Sequence, residues 1–229
     1  TLGRSSIDNP IYTRRGSQFT LSAQFTPPYS LFSKKDYKSL YESSSRADRE
    51  ELYRWIEYYK IKFKSRVYTP LNNSEKYTLV LMGRADFGLL GSYNKYKQTP
   101  FETFHVGGDG MTGSYTYATE TIGLRGYDNG ALTPYSDGRA YTRFSMELHF
   151  PFLLQPSSTI YGLAFVEGGN AWTSLENFNP FSLKRSAGVG VRIFLPMIGL
   201  MGIDWAYGFD KVQGEKWGSH FHFILGQEF

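Results

Sequence analysis

The sequence predicts an all-β fold, a transmembrane antiparallel β-barrel, from the patterning of its residues. Apolar and polar residues alternate along one stretch after another, which is typical of strands with one apolar and one polar face. The connecting segments alternate between short and long, as the periplasmic turns and extracellular loops of outer-membrane barrels do. Most alternating stretches run 10 to 14 residues. Strands of soluble proteins usually have about five or six, whereas a tilted strand that crosses a bilayer needs about 9–11.

The first three predicted strands show the alternation plainly. In SQFTLSAQFT the odd-numbered residues from Phe19 to Phe25 are apolar and the even-numbered ones are polar. In YYKIKFKSRVY three lysines and an arginine alternate with tyrosine, isoleucine, phenylalanine and valine, and YTLVLMGRADFGL separates its leucines and Phe87 from Arg84 and Asp86. These stretches predict strands at about 17–27, 55–68 and 77–90.

Five further strands are predicted after a long glycine-rich connection. The period of two continues in RAYTRFSMELHF, LKRSAGVGVRIFL, LMGIDWAYGF and SHFHFILGQEF, and a less regular strand follows the first of these. Their polar faces carry small and charged residues, which suit a crowded or wet lumen, so the apolar faces are expected to meet lipid. The predicted strands lie at about 139–150, 158–170, 183–195, 199–210 and 219–229.

The predicted connections are short on one side of the barrel and long on the other. The long ones lie at 28–54, 91–138, 171–182 and 211–218. Within the first of them, SSSRADREELYRW predicts a short helix with Ser45 as N-cap and Asp48 three residues later. Aromatic residues near the strand ends suit interfacial girdles: Tyr12, Tyr29, Tyr68, Tyr77, Trp172 and Trp217.

Composition excludes several classes of function. The net charge of +4 is mild and the basic residues are dispersed, so no nucleic-acid partner is expected. The chain has no cysteine, which excludes disulfides, thiolate metal sites and cysteine nucleophiles. It begins TLGRSSIDNP, with neither a start methionine nor a signal peptide, so a processed or truncated chain is expected.

Other classes of protein compete with a membrane barrel of this kind. A soluble sandwich or lipocalin-like barrel would turn the apolar faces inward. An enzyme would need a catalytic motif, and no Gly-x-Ser-x-Gly, HExxH or Walker-type sequence occurs. His220 and His222 stand two apart on one strand face and are candidate metal ligands, although lumen polar groups are the commoner role. A porin-like channel would need an open pore lined with charged residues.

Four segments resemble the BamA family of outer-membrane protein assembly factors and its two-partner secretion relatives. LRGY, from Leu124 through Arg125 and Gly126 to Tyr127, resembles the [VIL]-R-G-[FY] motif of that family's sixth extracellular loop, which folds back into the barrel. PFETFHVGGDG resembles the segment that leads into the motif, and FVEGG resembles an acidic-Gly motif in the second strand beyond it. FHFILGQEF resembles the family's last strand, and the resemblance extends over essentially the whole chain.

The resemblance implies that residues 1–229 are the C-terminal part of one outer-membrane barrel domain, its last eight or so of sixteen strands. A long inward-folding loop would span about 91–138, and periplasmic modules would lie outside the chain. The implied function is to fold and insert nascent outer-membrane β-barrel proteins in the bacterial outer membrane, with accessory lipoproteins as partners. No catalytic residue, cofactor or metal is implied. Two alternatives stay open: a two-partner secretion or translocation-and-assembly relative, and a small barrel of eight strands closed on themselves.

Arg125 is the residue on which the loop prediction depends. A guanidinium inside a barrel needs a carboxylate, because an unpaired buried charge is costly. Glu147 and Glu167 lie on the polar faces of the next two predicted strands, and the planar fork of an arginine suits bidentate contact with carboxylates. The resemblance implies a loop lock whose first pairing is Arg125 with Glu167, where the family often has Asp. The alternative is a solvated loop charge.

The terminal strand allows two interpretations. An aromatic C-terminal residue on an alternating strand is the usual recognition signal of outer-membrane barrels, so the strand would be this protein's own insertion address. In the family it also forms a weak seam with the first strand, and glycine permits a bend there. A client strand would add to that seam by edge pairing. The residues concerned are Phe221, Phe223, Leu225, Gly226 and Phe229.

Overall fold

The computed structural model describes residues 1–33, 35–74, 77–110, 120–135, 137–155, 157–212 and 218–226. Within these residues, nine strands form one antiparallel sheet, and two short strands of a long loop form a separate parallel pair. The elements in chain order are β1 (Leu2–Ser5), β2 (Gly16–Phe25), α1 (Tyr29–Phe32), α2 (Tyr37–Glu42), α3 (Arg46–Tyr53), β3 (Tyr59–Pro70), β4 (Val80–Gly91), β5 (Phe104–Val106), β6 (Glu120–Ile122), β7 (Ala140–Gln155), β8 (Ser158–Trp172), a 3-10 turn (Leu175–Asn177), β9 (Lys184–Leu195), β10 (Gly199–Gly208) and β11 (Ser219–Leu225).

The antiparallel all-β fold is confirmed, and each of the eight predicted strands is present. Strands of the main sheet are neighbours in chain order, from β1 at one edge to β11 at the other. Strand β1 was not predicted, since four residues are too few to show an alternation; it pairs with β2, with Leu2 opposite Leu21. In the described residues, β1 and β11 do not pair with each other, so the sheet stays open.

Strand β7 is longer than predicted because it continues through a proline. The register with β8 shifts between Pro151 and Leu153, so one extra residue is accommodated there. Proline has no N–H to donate to a ladder and is tolerated in strands mainly at edges and bulges. The strand therefore extends to Gln155 instead of ending at about 150.

The sheet exposes apolar side chains and buries charged ones. The outward residues Met146, Val166 and Ile203 are each more than half exposed, whereas Glu147 and Asp204 on the other face are at most 5% exposed. This arrangement matches the predicted faces and is the reverse of a soluble sandwich. An outer surface of this kind requires an apolar environment, as lipid would provide.

One apolar cluster on the inner face forms around the turn between β1 and β2. Tyr12, from that turn, is buried and donates a hydrogen bond from its hydroxyl to the carbonyl oxygen of Thr78 at 2.7 Å. Its ring packs edge-on against Tyr161 at 5.2 Å between centroids. Tyr12 and Tyr68 were expected in an interfacial girdle, but both are buried in this cluster instead. Trp217 lies outside the described residues.

The long connection between β2 and β3 carries the three helices. Helix α3 begins after Ser45, as predicted, but the Ser45 side chain makes no capping hydrogen bond. The hydroxyl of Ser43 contacts Asp48 in the first turn instead. None of the described helices is long and apolar enough to span a membrane.

The assignment of the outer and inner faces can be tested by labelling single cysteines, because the chain has no native cysteine. Val166→Cys and Ile203→Cys, labelled with a fluorophore in the protein folded into bilayers, should be quenched by brominated lipids. Thr20→Cys, on the inward face of β2, is the matched control and should not be quenched. Equal quenching at all three sites, or none at the first two, would contradict the assignment of the faces.

Candidate functional site

The segment that follows β4 folds back over the inner face of the sheet. Strands β5 and β6 pair in parallel, with Phe104 opposite Glu120, and Phe104 also bridges to Gly138 just before β7. Leu124 bridges to Gly108, and the amide of Val106 donates to the hydroxyl of Thr133. A second apolar cluster supports this loop: Leu90, Phe104, Val106, Ile122 and Tyr141. The loop is therefore a packed body that presents residues 124–127 to the sheet.

Arg125 is fully buried and contacts three carboxylates. One terminal nitrogen, Nη1, donates to Asp204 Oδ2 at 3.0 Å. The other, Nη2, donates to Glu167 Oε1 at 2.7 Å and also to Glu147. The backbone N–H of Arg125 donates to the second oxygen of Glu167 at 3.0 Å, so Glu167 holds both ends of the residue. The guanidinium carbon lies 3.5 Å from the centroid of the Phe165 ring, a cation–π contact.

The three carboxylates come from three different strands, β7, β8 and β10, and a fourth strand supplies a second cation. Arg192 on β9 donates to Asp204 Oδ2 at 2.8 Å. His149 lies 2.9 Å from Glu147, between Nε2 and Oε2. Burial of charges is tolerated when each ion has partners that offset its lost hydration. We call this group the lock cluster: Arg125, Glu147, Glu167, Arg192 and Asp204.

The residues around Arg125 fit the sheet closely. Gly126 has φ +88°, and a Cβ there would lie 2.7 Å from the Cβ of Ser186. A Cβ on Gly208 of β10 would overlap the carbonyl oxygen of Gly126, so both glycines are needed for the approach. Tyr127 is buried and donates from its hydroxyl to the carbonyl oxygen of Arg185 at 2.7 Å. Leu124 is fully buried.

Two further ion groups hold the loop upstream of the motif. Arg143 on β7 pairs with Asp86 at 2.7 Å and donates to the carbonyl oxygen of Gly123 at 2.6 Å. Glu120 of β6 meets Lys60 and Lys62 of β3 at 3.2 and 2.9 Å. Burial acts to raise the pKa of the Glu120 carboxyl, but the hydrogen bond from Lys62 and the charges of three lysines prevail and lower that pKa.

The structure brings together the loop residues and both acidic residues that the sequence singled out, and it adds partners that the sequence did not identify. Asp204 and Arg192 were not among the predicted partners of Arg125. Both lie on polar faces of alternating strands, which is a signal the sequence offers. Which polar residues meet across strands depends on register, which that signal does not contain.

The predicted terminal-strand residues that the structure describes lie on the outer face of the sheet's last strand or directly after it. Phe221, Phe223 and Leu225 are each at least 60% exposed on the outer face of β11. Gly226 follows the strand with φ +71°, and its amide donates to the carbonyl oxygen of Leu200 at 2.7 Å. Phe229 lies outside the described residues.

The two histidines of β11 face inward and contact the loop. The amide of Gly126 donates to His222 Nε2 at 2.9 Å, and His220 Nδ1 lies 3.2 Å from Asp128 Oδ1. Across the described part of the chain, no group of three or more histidine, aspartate or glutamate side chains is arranged to hold a metal ion.

Comparison with known proteins gives one family and one informative structure. The model of the Omp85 superfamily domain matches residues 1–229. The crystal structure of BamA from Haemophilus ducreyi lacking POTRA domains 1–3 superposes with a TM-score of 0.64 at 18% sequence identity. The match covers 97% of this chain and 41% of that one, so the chain spans about two fifths of its length. At this identity the likeness shows the fold.

Removal of Arg125 should destabilise the folded protein strongly. Arg125→Ala leaves three carboxylates buried without their shared cation, and breaking a buried ion pair on one side costs about 3–5 kcal/mol. Arg125→Lys should recover only part of the loss, since one ammonium group does not match three carboxylates on three strands. The measurement is the free energy of unfolding in urea in detergent micelles.

Arg185→Ala is the matched control for this series. Its partner Asp210 is near the surface, and the Arg185 side chain is 68% exposed, so little change is expected. If Arg125→Ala were no less stable than Arg185→Ala, the lock cluster would not hold the loop.

The Glu120 ion group should make loop packing sensitive to acid. The folded-state pKa lies below the ordinary value of 4.5, so the stabilisation is complete above that value. It is lost as the pH falls through the folded-state pKa. Amide exchange of β5 and β6, corrected for intrinsic rates, should accelerate there in the wild type. Glu120→Gln should give faster exchange that lacks this acid step, while Glu50→Gln in α3 should behave as wild type.

Proposed function

Because the chain belongs to the Omp85 superfamily, we propose that it is the C-terminal part of the barrel of an outer-membrane protein assembly factor. In this proposal the protein resides in the bacterial outer membrane and folds and inserts nascent β-barrel proteins. Its partners are those client chains, accessory lipoproteins of the assembly machinery and the lipid bilayer. The remaining strands of the barrel and the periplasmic modules lie outside residues 1–229.

The observation that carries the proposal is the last strand of the sheet. Within the described residues, β11 is the last strand of the sheet and pairs with β10. In this proposal its other side forms a seam with the first strand of the barrel, and a client strand competes for that seam. Its outer side chains are apolar and exposed, so the strand belongs at membrane depth. An unpaired backbone edge in lipid costs several kcal/mol per group. Such an edge is a template that another strand completes.

The mechanism that follows is strand addition without covalent chemistry. A client strand pairs with the edge of β11 while its own apolar side chains enter the lipid on the same side as Phe221, Phe223 and Leu225. Each backbone pair that forms satisfies an N–H and a C=O that would otherwise be exposed to hydrocarbon. The lock cluster contributes by keeping β7 to β10 in register, so that only the terminal edge is free to exchange partners.

A secretion or translocation-and-assembly role is the second candidate. The folded-back loop occupies the lumen side of the sheet, and Arg125 is fully buried there. A secretion pore would have to move this loop, whereas strand addition at β11 leaves it in place. The position of the loop therefore favours assembly over secretion.

The test is site-specific cross-linking in the full-length protein reconstituted into liposomes. Phe223→Cys should form a disulfide with a cysteine in the terminal strand of a denatured client, and the client should fold faster than in empty liposomes. Val191→Cys, equally outward but in the sheet interior on β9, is the control and should not cross-link.

Two results would overturn the proposal. One is client folding at the rate of empty liposomes. The other is equal cross-linking at Phe223→Cys and Val191→Cys, since lipid-side encounter without edge pairing would give that pattern.

A further inference from the structure

The inner face of β11 is tied to the loop by one hydrogen bond that involves a titratable acceptor. The backbone N–H of Gly126, the residue directly after Arg125, donates to His222 Nε2 at 2.9 Å. The His222 ring is 5% exposed. An imidazole nitrogen that accepts a hydrogen bond carries no proton, so His222 is neutral with its proton on Nδ1 in this arrangement.

On its inner face β11 joins two parts of the structure. The strand pairs with β10 over seven residues, from Ser219 opposite Tyr207 to Leu225 opposite Met201, and Ile224 is buried against the sheet. The same face carries His220 and His222, which contact the loop. These two side chains are therefore the described contacts through which the state of the loop can act on β11.

We propose that His222 is a positioning residue that latches the terminal strand to the docked loop, and that protonation of its ring releases the strand. This inference rests on the proposed function, in which the edge of β11 receives a client strand. It assigns the control of that edge to one hydrogen bond with the loop motif.

Protonation would replace the acceptor by a second donor that faces the Gly126 N–H. The hydrogen bond would be lost, and a cation would stand close to the Arg125 guanidinium. Asp204 lies opposite His222 in the register but already accepts from Arg125 and Arg192. The charged and titratable groups that act on the ring are Arg125, Asp204, His220 and Asp109, with Asp128 paired to His220.

The His222 variants separate the hydrogen bond from the shape of the side chain. His222→Gln retains an acceptor near the position of Nε2, whereas His222→Leu fills the space without one. In the full-length protein in lipid nanodiscs, amide exchange of β11 should be about fivefold faster in His222→Leu than in wild type, the order of one lost hydrogen bond. His222→Gln should stay close to wild type. Phe223→Leu, on the outer face of the same strand, is the control and should also match wild type.

A pH series on the wild type tests the release even if a variant fails to fold. After correction for intrinsic exchange, the wild type should lose protection in β11 as the pH falls below about 6.5, the ordinary pKa of histidine, because only the neutral ring accepts the hydrogen bond. His222→Gln should show no such step. Equal exchange in wild type and His222→Leu, or a step of the same size in His222→Gln, would overturn the latch.

Client folding distinguishes failure of the latch from failure of the proposed function. With both correct, His222→Leu changes the rate of client folding and the yield of cross-linking at Phe223→Cys. Faster exchange in β11 without any effect on clients would support the latch and refute strand addition at this edge. Client cross-linking at β11 with unchanged exchange in His222→Leu would support strand addition and refute the latch.

Discussion

The burial of Arg125 is the constraint around which the loop and sheet are arranged. A guanidinium without exposure to solvent is stable only where carboxylates surround it, and here three strands each supply one. Those strands must keep a register that brings Glu147, Glu167 and Asp204 within reach of one guanidinium. The glycines at 126 and 208 follow from the same requirement, since a Cβ on Gly208 would push the loop away from the sheet. The ion cluster and the backbone contact thus specify one position of the loop.

A sheet whose outer face is apolar carries its charged and polar side chains on the inner face. The loop contacts such side chains on strands from β3 to β11. Lys60 and Lys62 of β3 hold Glu120, Arg143 of β7 holds the carbonyl of Gly123, and His222 of β11 holds the amide of Gly126. In a soluble protein an apolar core would perform this task. Here the apolar side chains face outward, so charged pairs and the small apolar cluster around Phe104 and Tyr141 fix the loop instead.

The sequence predicts the faces of this fold better than its contacts, for a physical reason. Side chains alternate across a strand with period two, so Glu147, Glu167 and Asp204 are all assigned to the lumen from spacing alone. Register is set by turns and bulges, and the shift between Pro151 and Leu153 leaves no mark in the alternation. Strand β1 is too short to show an alternation. Tyr12 was predicted in an interfacial girdle because its burial depends on where its turn folds, and the sequence does not show that position. A motif identifies Arg125, but the structure is needed to find Asp204.

In the proposed function the loop has to hold β7 to β10 firmly and β11 only loosely, and its contacts allow both. The lock cluster joins β7 to β10 through several charged hydrogen bonds, whereas His220 and His222 join β11 to the same loop. Contacts that share one rigid body are coupled, and the coupling is reciprocal: whatever favours docking of residues 124–127 favours retention of β11 to the same extent. Displacement of β11 by a partner would therefore break the hydrogen bond of the Gly126 amide before it affects the contacts of Arg125. The strong part of the site holds the sheet, and the weak part lies at β11, where the proposed exchange of strands would take place.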